Sequence, residues 1–206
     1  MNTQQIPSTY LPTDANKVQE GVYKTTINGV LYIDRPIYKD DRGFFSEVVK
    51  IPELESIIGQ PFQVKQVNHA RSEQNVLRGI HAEGWNKFVF VLTGLCFAAI
   101  VDVRPDSETF GKKEYFLLGS GENALTGCLF LPSGMGNSVC VLKGPVDYLY
   151  LVDRLYQDRD KSGDVAITLF DTDLNIPWPV AKEDMVISER DTNAITLREK
   201  SPEKFV

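Results

Sequence analysis

The sequence predicts an all-β fold, an antiparallel sandwich or barrel with a few short helices. Three observations carry that prediction. About nine short runs rich in Val, Ile, Phe and Tyr follow one another, punctuated by Gly, Pro, Asp or Asn. Hardly any stretch reads as helix. The chain has 206 residues, 42% of them hydrophobic and 24% charged, enough for one sizeable core and short for two.

The elements follow in order. Residues 1–20 are polar and rich in Pro, Thr and Asn, and read as an N-terminal arm that is flexible or docked on a partner. Strands are expected at 29–38 (GVLYIDRPIY), 62–70 (FQVKQVNHA), 87–94 (KFVFVLTG), 95–103 (LCFAAIVDV) and 113–119 (KEYFLLG). Four more are expected at 127–132, 138–142, 147–152 and 165–170. A short helix is expected at 52–59, stopped by Gly59, and the tail beyond about 181 has room for another. The Pro-x-Gly corner in LPSGMGN (131–137) and the Thr93-Gly94 turn suit a jelly roll, the double-stranded β-helix of cupin-like proteins. No repeat or low-complexity tract divides the chain, so residues 21–206 are expected to form a single domain.

Composition narrows the function. The net charge of −6 argues against nucleic-acid binding through a broad basic face, but a few local Arg and Lys could still hold a small anion. Cys96, Cys128 and Cys140 lie in apolar runs and read as buried free thiols of a reducing compartment. With no leader-like apolar segment at the start and no membrane-length stretch, a cytoplasmic location is expected.

The chemistry centres on LRGIHAEGWNKFVFVLTG (77–94), which holds one of the two histidines. A cupin-type metal site needs three histidines and a glutamate. Here GIHAEG supplies His81 alone, and Asn137 stands where the second motif would place a histidine, so no metal is expected. His81 remains either a core residue or a base. Arg78, His81, Glu83 and Lys87 crowd the start of an apolar strand and cannot all face a core unpartnered, so they are expected to line a cavity. Glu83 itself reads as surface or loop, and His69 as a structural hydrogen-bonding residue. Other polar candidates have structural readings as well. Arg42 could anchor a turn, Tyr150 and Tyr38 could be plain strand aromatics, Asp191 could cap a helix, and Lys87 could be solvated.

Eight fragments occur in order: DDRGFFSE (40–47), QVNHA (66–70), VLRGIH (76–81), VDVRPDSETFG (101–111), LPSG (131–134), DYLY (147–150), IPWP (176–179) and SERD (188–191). Together they resemble the dTDP-4-dehydrorhamnose 3,5-epimerase family over about residues 25–192. The resemblance implies a metal-free, cofactor-independent jelly-roll homodimer in which an N-terminal strand crosses to the partner. It implies a nucleoside-diphosphate 4-keto-6-deoxysugar as substrate, in deoxysugar or surface-polysaccharide synthesis. By the same resemblance His81 is the base, Asp191 its carboxylate partner, Tyr150 the proton donor, and Lys87 with Arg78 the cations near the ketone oxygen. Tyr38, Arg42, Glu47, Gln66 and Asn68 match nucleotide-side positions, and Tyr156 a second aromatic near base or sugar.

The chemistry is self-consistent. A C4 ketone acidifies the hydrogens on C3 and C5, so inversion needs a base, an acid on the opposite face and a cation at the enolate oxygen. The chain carries no Gly-rich dinucleotide fingerprint that would imply redox.

The match breaks at one place. Asn137 and Ala98 replace a His/Asp pair of the family, and the loop holding Trp85 and Asn86 is short. These changes imply a different ketosugar, a GDP- or CDP-linked one included, or inversion at a single centre, with Asn137 contacting substrate. A 3,4-ketoisomerase and a catalytically silent sugar-nucleotide-binding jelly roll stand as alternatives.

Overall fold

Long strands that bend and change partners build the fold. In the computed structural model, which describes residues 5–158 and 164–205, the strands are β1 (Lys17–Gln19), β2 (Val22–Lys24), β3 (Leu31–Ile33), β4 (Ile37–Asp40) and β5 (Gly43–Ser46). They continue with β6 (Gln66–Ser72), β7 (Val76–Ala82), β8 (Lys87–Asp102), β9 (Lys113–Gly119), β10 (Cys128–Leu131) and β11 (Met135–Val152). Two short strands, β12 (Val165–Ala166) and β13 (Val186–Ile187), come from the tail. Helix α1 covers Ile51–Ile58, and α2 (Glu189–Thr192) and α3 (Leu197–Lys200) are single turns.

The main sheet runs β1-β2-β3-β10-β8-β11-β7-β12, with β6 paired to β11, β9 to β8 and β13 to β7. Every pairing is antiparallel except β13 with β7. It is the expected jelly roll. Several expectations change, however: the strands expected at 62–70 and 165–170 shorten to Gln66–Ser72 and Val165–Ala166. Residues 87–94 and 95–103 are one strand, β8, and 138–142 and 147–152 both fall in β11. Each long strand serves both halves of the roll. The bend in β8 falls at Gly94, with φ +76°, where a Cβ would sit 2.5 Å from the Pro145 carbonyl. β11 bends where its register against β8 shifts, between Val141 and Tyr148. The expected strand at 29–38 breaks instead into β3 and β4, and β4 pairs with β5 in a separate two-stranded hairpin.

Burial explains the apolar runs. On β8, Val89, Ala98 and Ile100 fill the interior of the roll with Tyr32, Phe116 and Leu129. Their neighbours Phe97, Ala99 and Val101 pack outward against tail residues Ile167, Leu174, Trp178 and Leu197. With both faces covered, β8 reads as a continuous apolar run rather than an alternating one. A third cluster joins Phe88, Phe90 and Phe130 to Leu54 of α1. That helix has Pro52 in its first turn and ends at Gly59 with φ +70°, as expected. Burying Leu54 there contributes about 1.5–3 kcal/mol.

The polar arm is tied to the roll. The Tyr10 ring is buried 5.1 Å from that of Phe116, and its N–H donates to the Tyr115 carbonyl at 2.7 Å. Among the described residues no helix is long and apolar enough to cross a membrane. All three cysteines are buried and free, and burial pushes the Cys128 and Cys140 thiols up to about 12.

Candidate active site

Five elements converge on one cavity of about 230 Å³ at one end of the roll. β6 brings Ala70 and Ser72, β7 brings Arg78 and His81, and β8 begins with Lys87. β11 supplies Asn137, Tyr148 and Tyr150, and α2 supplies Arg190. A larger groove of about 550 Å³ lies beside Arg35 and Glu53 but is lined by no histidine or tyrosine, so the chemistry belongs to the smaller one.

Arg78 and His81 are three apart, a spacing that regular alternation would put on opposite faces. A bulge corrects it. His81 stands opposite Asn137 and Arg78 opposite Val139, so two residues of β7, Gly79 and Ile80, face the single Ser138 of β11. Gly79 is required there. Its φ is +129°, and a Cβ would lie 2.3 Å from the Ser138 Cβ. The Arg78 Nε then donates to the Ser72 hydroxyl at 2.9 Å, which orients the guanidinium.

The tail completes the base. β13 lies parallel to β7, placing Ile187 beside Leu77, and Ser188 caps α2 by accepting the Asp191 N–H at 3.2 Å. That turn puts the Asp191 Oδ1 2.6 Å from the His81 Nε2, across 110 residues of sequence. The second Asp191 oxygen accepts the Gly79 N–H at 3.3 Å. Asp191 is only 3% exposed. Burial pushes its carboxyl up, but the hydrogen bonds from His81, Gly79 and Ser188 and the His81 charge outweigh it and hold the group below its ordinary value. An ionised Asp191 keeps a proton on the Nε2 of His81 and leaves Nδ1 as the nitrogen able to take one. The helix-cap reading of Asp191 is overtaken, since Ser188 is the cap.

Tyr150 is half-buried, and its phenol is pushed up, first by burial and then by the Glu83 charge, with Arg78 opposing, so at neutral pH it is a proton donor. Tyr148 is buried beside it, ring centres 6.2 Å apart, and donates to the Asn137 Oδ1 at 3.2 Å. Ala98 is fully buried in the interior. Tyr148 is thus the hydrogen-bond partner of the Asn137 side chain. Lys87 is not solvated: it is 4% exposed and ion-paired with Glu83. Glu83 is therefore not a surface group, and it lines the cavity. Arg190, in the same lining, escaped the sequence reading, although it sits inside the SERD fragment.

Gln66 and Asn68 lie on the same face of β6 as Ala70 and Ser72 but outside the lining. Gln66 donates to Asn68 at 2.6 Å and accepts the Tyr156 N–H at 2.9 Å, so it holds the Tyr156 loop. The Tyr156 ring lines the cavity and rests 6.3 Å from Trp85. Tyr38, Arg42 and Glu47 are not brought to this cavity by their own chain. Tyr38 is 56% exposed on the β4–β5 hairpin, Arg42 binds Asp40, and Glu47 pairs with Lys50. The physical reason is that β4 leaves the main sheet after β3, carrying its side chains into solvent. The His69 Nε2 donates to the Asp147 carboxylate at 2.9 Å, away from the cavity. Among the described residues no three His, Cys, Asp or Glu side chains gather as a metal-ligand set.

Comparison with known proteins agrees with this geometry. The family model described as dTDP-4-dehydrorhamnose 3,5-epimerase matches residues 24–199. The Escherichia coli (strain K12) dTDP-4-dehydrorhamnose 3,5-epimerase is 34% identical over 182 residues, 86% of this chain and 95% of its own. Among solved structures, the Legionella pneumophila dTDP-6-deoxy-D-glucose-3,5-epimerase, in complex with dTDP-4-keto-L-rhamnose, superposes with TM-score 0.78 at 31% identity. It covers 88% of this chain and 95% of that one. A 3'-monoepimerase from Streptomyces bikiniensis, in complex with dTDP-quinovose, gives TM-score 0.78 at 29% identity, covering 88% and 90%. With the jelly roll and a family match over most of its length, this chain belongs to the dTDP-4-dehydrorhamnose 3,5-epimerase family and is an epimerase of the isomerase class.

Proposed function

We propose that this epimerase inverts C3, C5 or both in a nucleoside-diphosphate 4-keto-6-deoxysugar by proton abstraction and return. The observation that carries the proposal is the His81–Asp191 pair, 2.6 Å apart, with His81 lining one cavity together with a protonated Tyr150. His81 takes the proton beside the ketone, and Asp191 holds the ring and steadies the imidazolium. Tyr150 returns a proton from the other face. Lys87 and Arg78 stabilise the negative charge that grows on the ketone oxygen. The electrons stay on the sugar, so the cycle needs no oxidant.

The nucleotide side draws on two copies of the chain. The exposed β4–β5 hairpin, carrying Tyr38 and Arg42, is proposed to cross to a partner in a homodimer and meet the nucleotide there. Its exposed Tyr38, Phe44 and Phe45 support that role, being costly to leave in water. Gln66 and Asn68 would meet the same nucleotide from β6. The Asn137–Tyr148 pair in place of the family's usual pair favours a ketosugar other than the common one, or inversion of one centre.

Solvent deuterium decides the chemistry. The wild type is expected to place deuterium at C3 or C5 of a 4-keto nucleotide sugar, and His81→Ala to slow this by about 10²–10⁴-fold. A 3-keto product would make it a ketoisomerase. Ligand-induced melting shifts without exchange would make it a binding module. Melting shifts with dTDP, GDP, CDP and UDP name the nucleotide.

A further inference from the structure

We propose that Glu83 is a positioning residue of the sugar pocket, fixing the Lys87 ammonium at the place where the ketone oxygen gains charge; this rests on the epimerase reading above. Both side chains line the cavity, both are largely buried, and they form an ion pair four residues apart across the turn between β7 and β8. Their mobilities differ. A lysine ammonium rides on a flexible four-carbon stem and finds its place from its partner. Glu83 stands on a pinned turn. Its carbonyl accepts the Gly134 N–H and the Trp85 N–H, each at 2.9 Å. Three residues on, Asn86 binds the Asp153 carboxylate at 3.0 and 2.7 Å and accepts the Ser133 N–H at 3.0 Å. The turn is thus tied to both the Pro-x-Gly corner and the end of β11, and the carboxylate sets where the ammonium sits. An ammonium buried without such an anion would be costly.

The same carboxylate also acts on the proton donor. Tyr150 is faced by Glu83, Arg78, Tyr156 and Tyr148, with His81, Lys87 and Arg190 around the same cavity. Burial comes first in keeping its phenol protonated, and the Glu83 charge second. Removing the charge therefore lowers the pH at which Tyr150 ionises.

The test is the pH profile of solvent-deuterium exchange in wild type, Glu83→Gln and Glu83→Asp. Glu83→Gln is expected to lower kcat about 10–100-fold with a smaller change in KM, and to move the alkaline limb of the profile to lower pH. Glu83→Asp, which returns the carboxylate, is expected to recover most of the rate. A wild-type-like Glu83→Gln, a loss equal at every pH, or no recovery in Glu83→Asp overturns the proposal. If Glu83→Gln does not fold, Lys87→Met and the double variant Glu83→Gln/Lys87→Met take its place. A residue acting through Lys87 adds no further loss of plateau kcat to Lys87→Met, and an additive loss overturns the proposal.

A substrate-free measurement separates the two readings. Ultraviolet titration of the phenolate, with Tyr150→Phe subtracted, is expected to show Tyr150 ionising at lower pH in Glu83→Gln. A wild type that exchanges no deuterium sinks the epimerase reading, while an unmoved titration sinks the action of Glu83 on Tyr150.

Discussion

A carboxylate taken out of water is normally driven toward its neutral form, yet Asp191, 3% exposed, is held ionised by His81, the Gly79 N–H and Ser188. Because its folded value is depressed, the stability it contributes is fully present above its unfolded value, about 3.9, and is lost as pH falls through the lower folded value. The melting temperature of Asp191→Asn is therefore expected to lie below wild type at pH 6–7, and the gap to close as the pH is brought toward 3. In activity the same variant is expected to lose about 10²-fold or more, because the imidazole loses its fixed tautomer. Most of these residues were legible individually, because His81, Tyr150 and Asp191 each stand in a short fragment. Glu83 was not. Nothing in its neighbours shows that the β7–β8 turn folds inward over the cavity rather than outward into water.

Among the elements, β7 determines whether the site exists. A regular strand would send Arg78 and His81 to opposite faces, and the bulge at Gly79 brings them to one. Gly79→Ala forces a Cβ to within 2.3 Å of Ser138 and to a left-handed φ, so about 3 kcal/mol or more of destabilisation is expected in urea unfolding. Exchange is expected to fall with it, since His81 would turn away from Asp191. The bulge also explains why residues 76–82 did not stand among the expected strands. Glycine, arginine and histidine interrupt the two-residue alternation by which a strand is recognised. Likewise β8 and β11 each read as two strands at their central turn signals. Gly94 is a bend within a continuous ladder, and only the partners on either side reveal it.

On the scale of the whole molecule, the base pair and the hairpin belong to different regions of one chain. If the hairpin serves the partner's cavity, each site is built from two copies. Mixing two inactive proteins, His81→Ala and Arg42→Ala, and refolding them together is then expected to restore activity. A heterodimer forms in half of the pairs and has one intact site of two, so about a quarter of the wild-type rate returns. No recovery, with dimers confirmed by sedimentation, would place the hairpin in its own chain's site. The three thiols give a control on folding in all variants. With Cys96, Cys128 and Cys140 buried, alkylation is expected to be negligible until the protein is unfolded.

Local order along the chain suffices for the strand content, the stop of α1 at Gly59, the buried cysteines and the fragments that carry the family chemistry. Those properties depend on neighbours a few residues away, through turn preferences and apolar runs. The meeting of Asp191 with His81, the common face of Arg78 and His81, the Glu83–Lys87 pair, and the absence of Tyr38, Arg42 and Glu47 from their own cavity were settled by packing. Contacts across 110 residues form only when the tail docks its apolar face on β7, and no stretch of neighbouring residues encodes that distance.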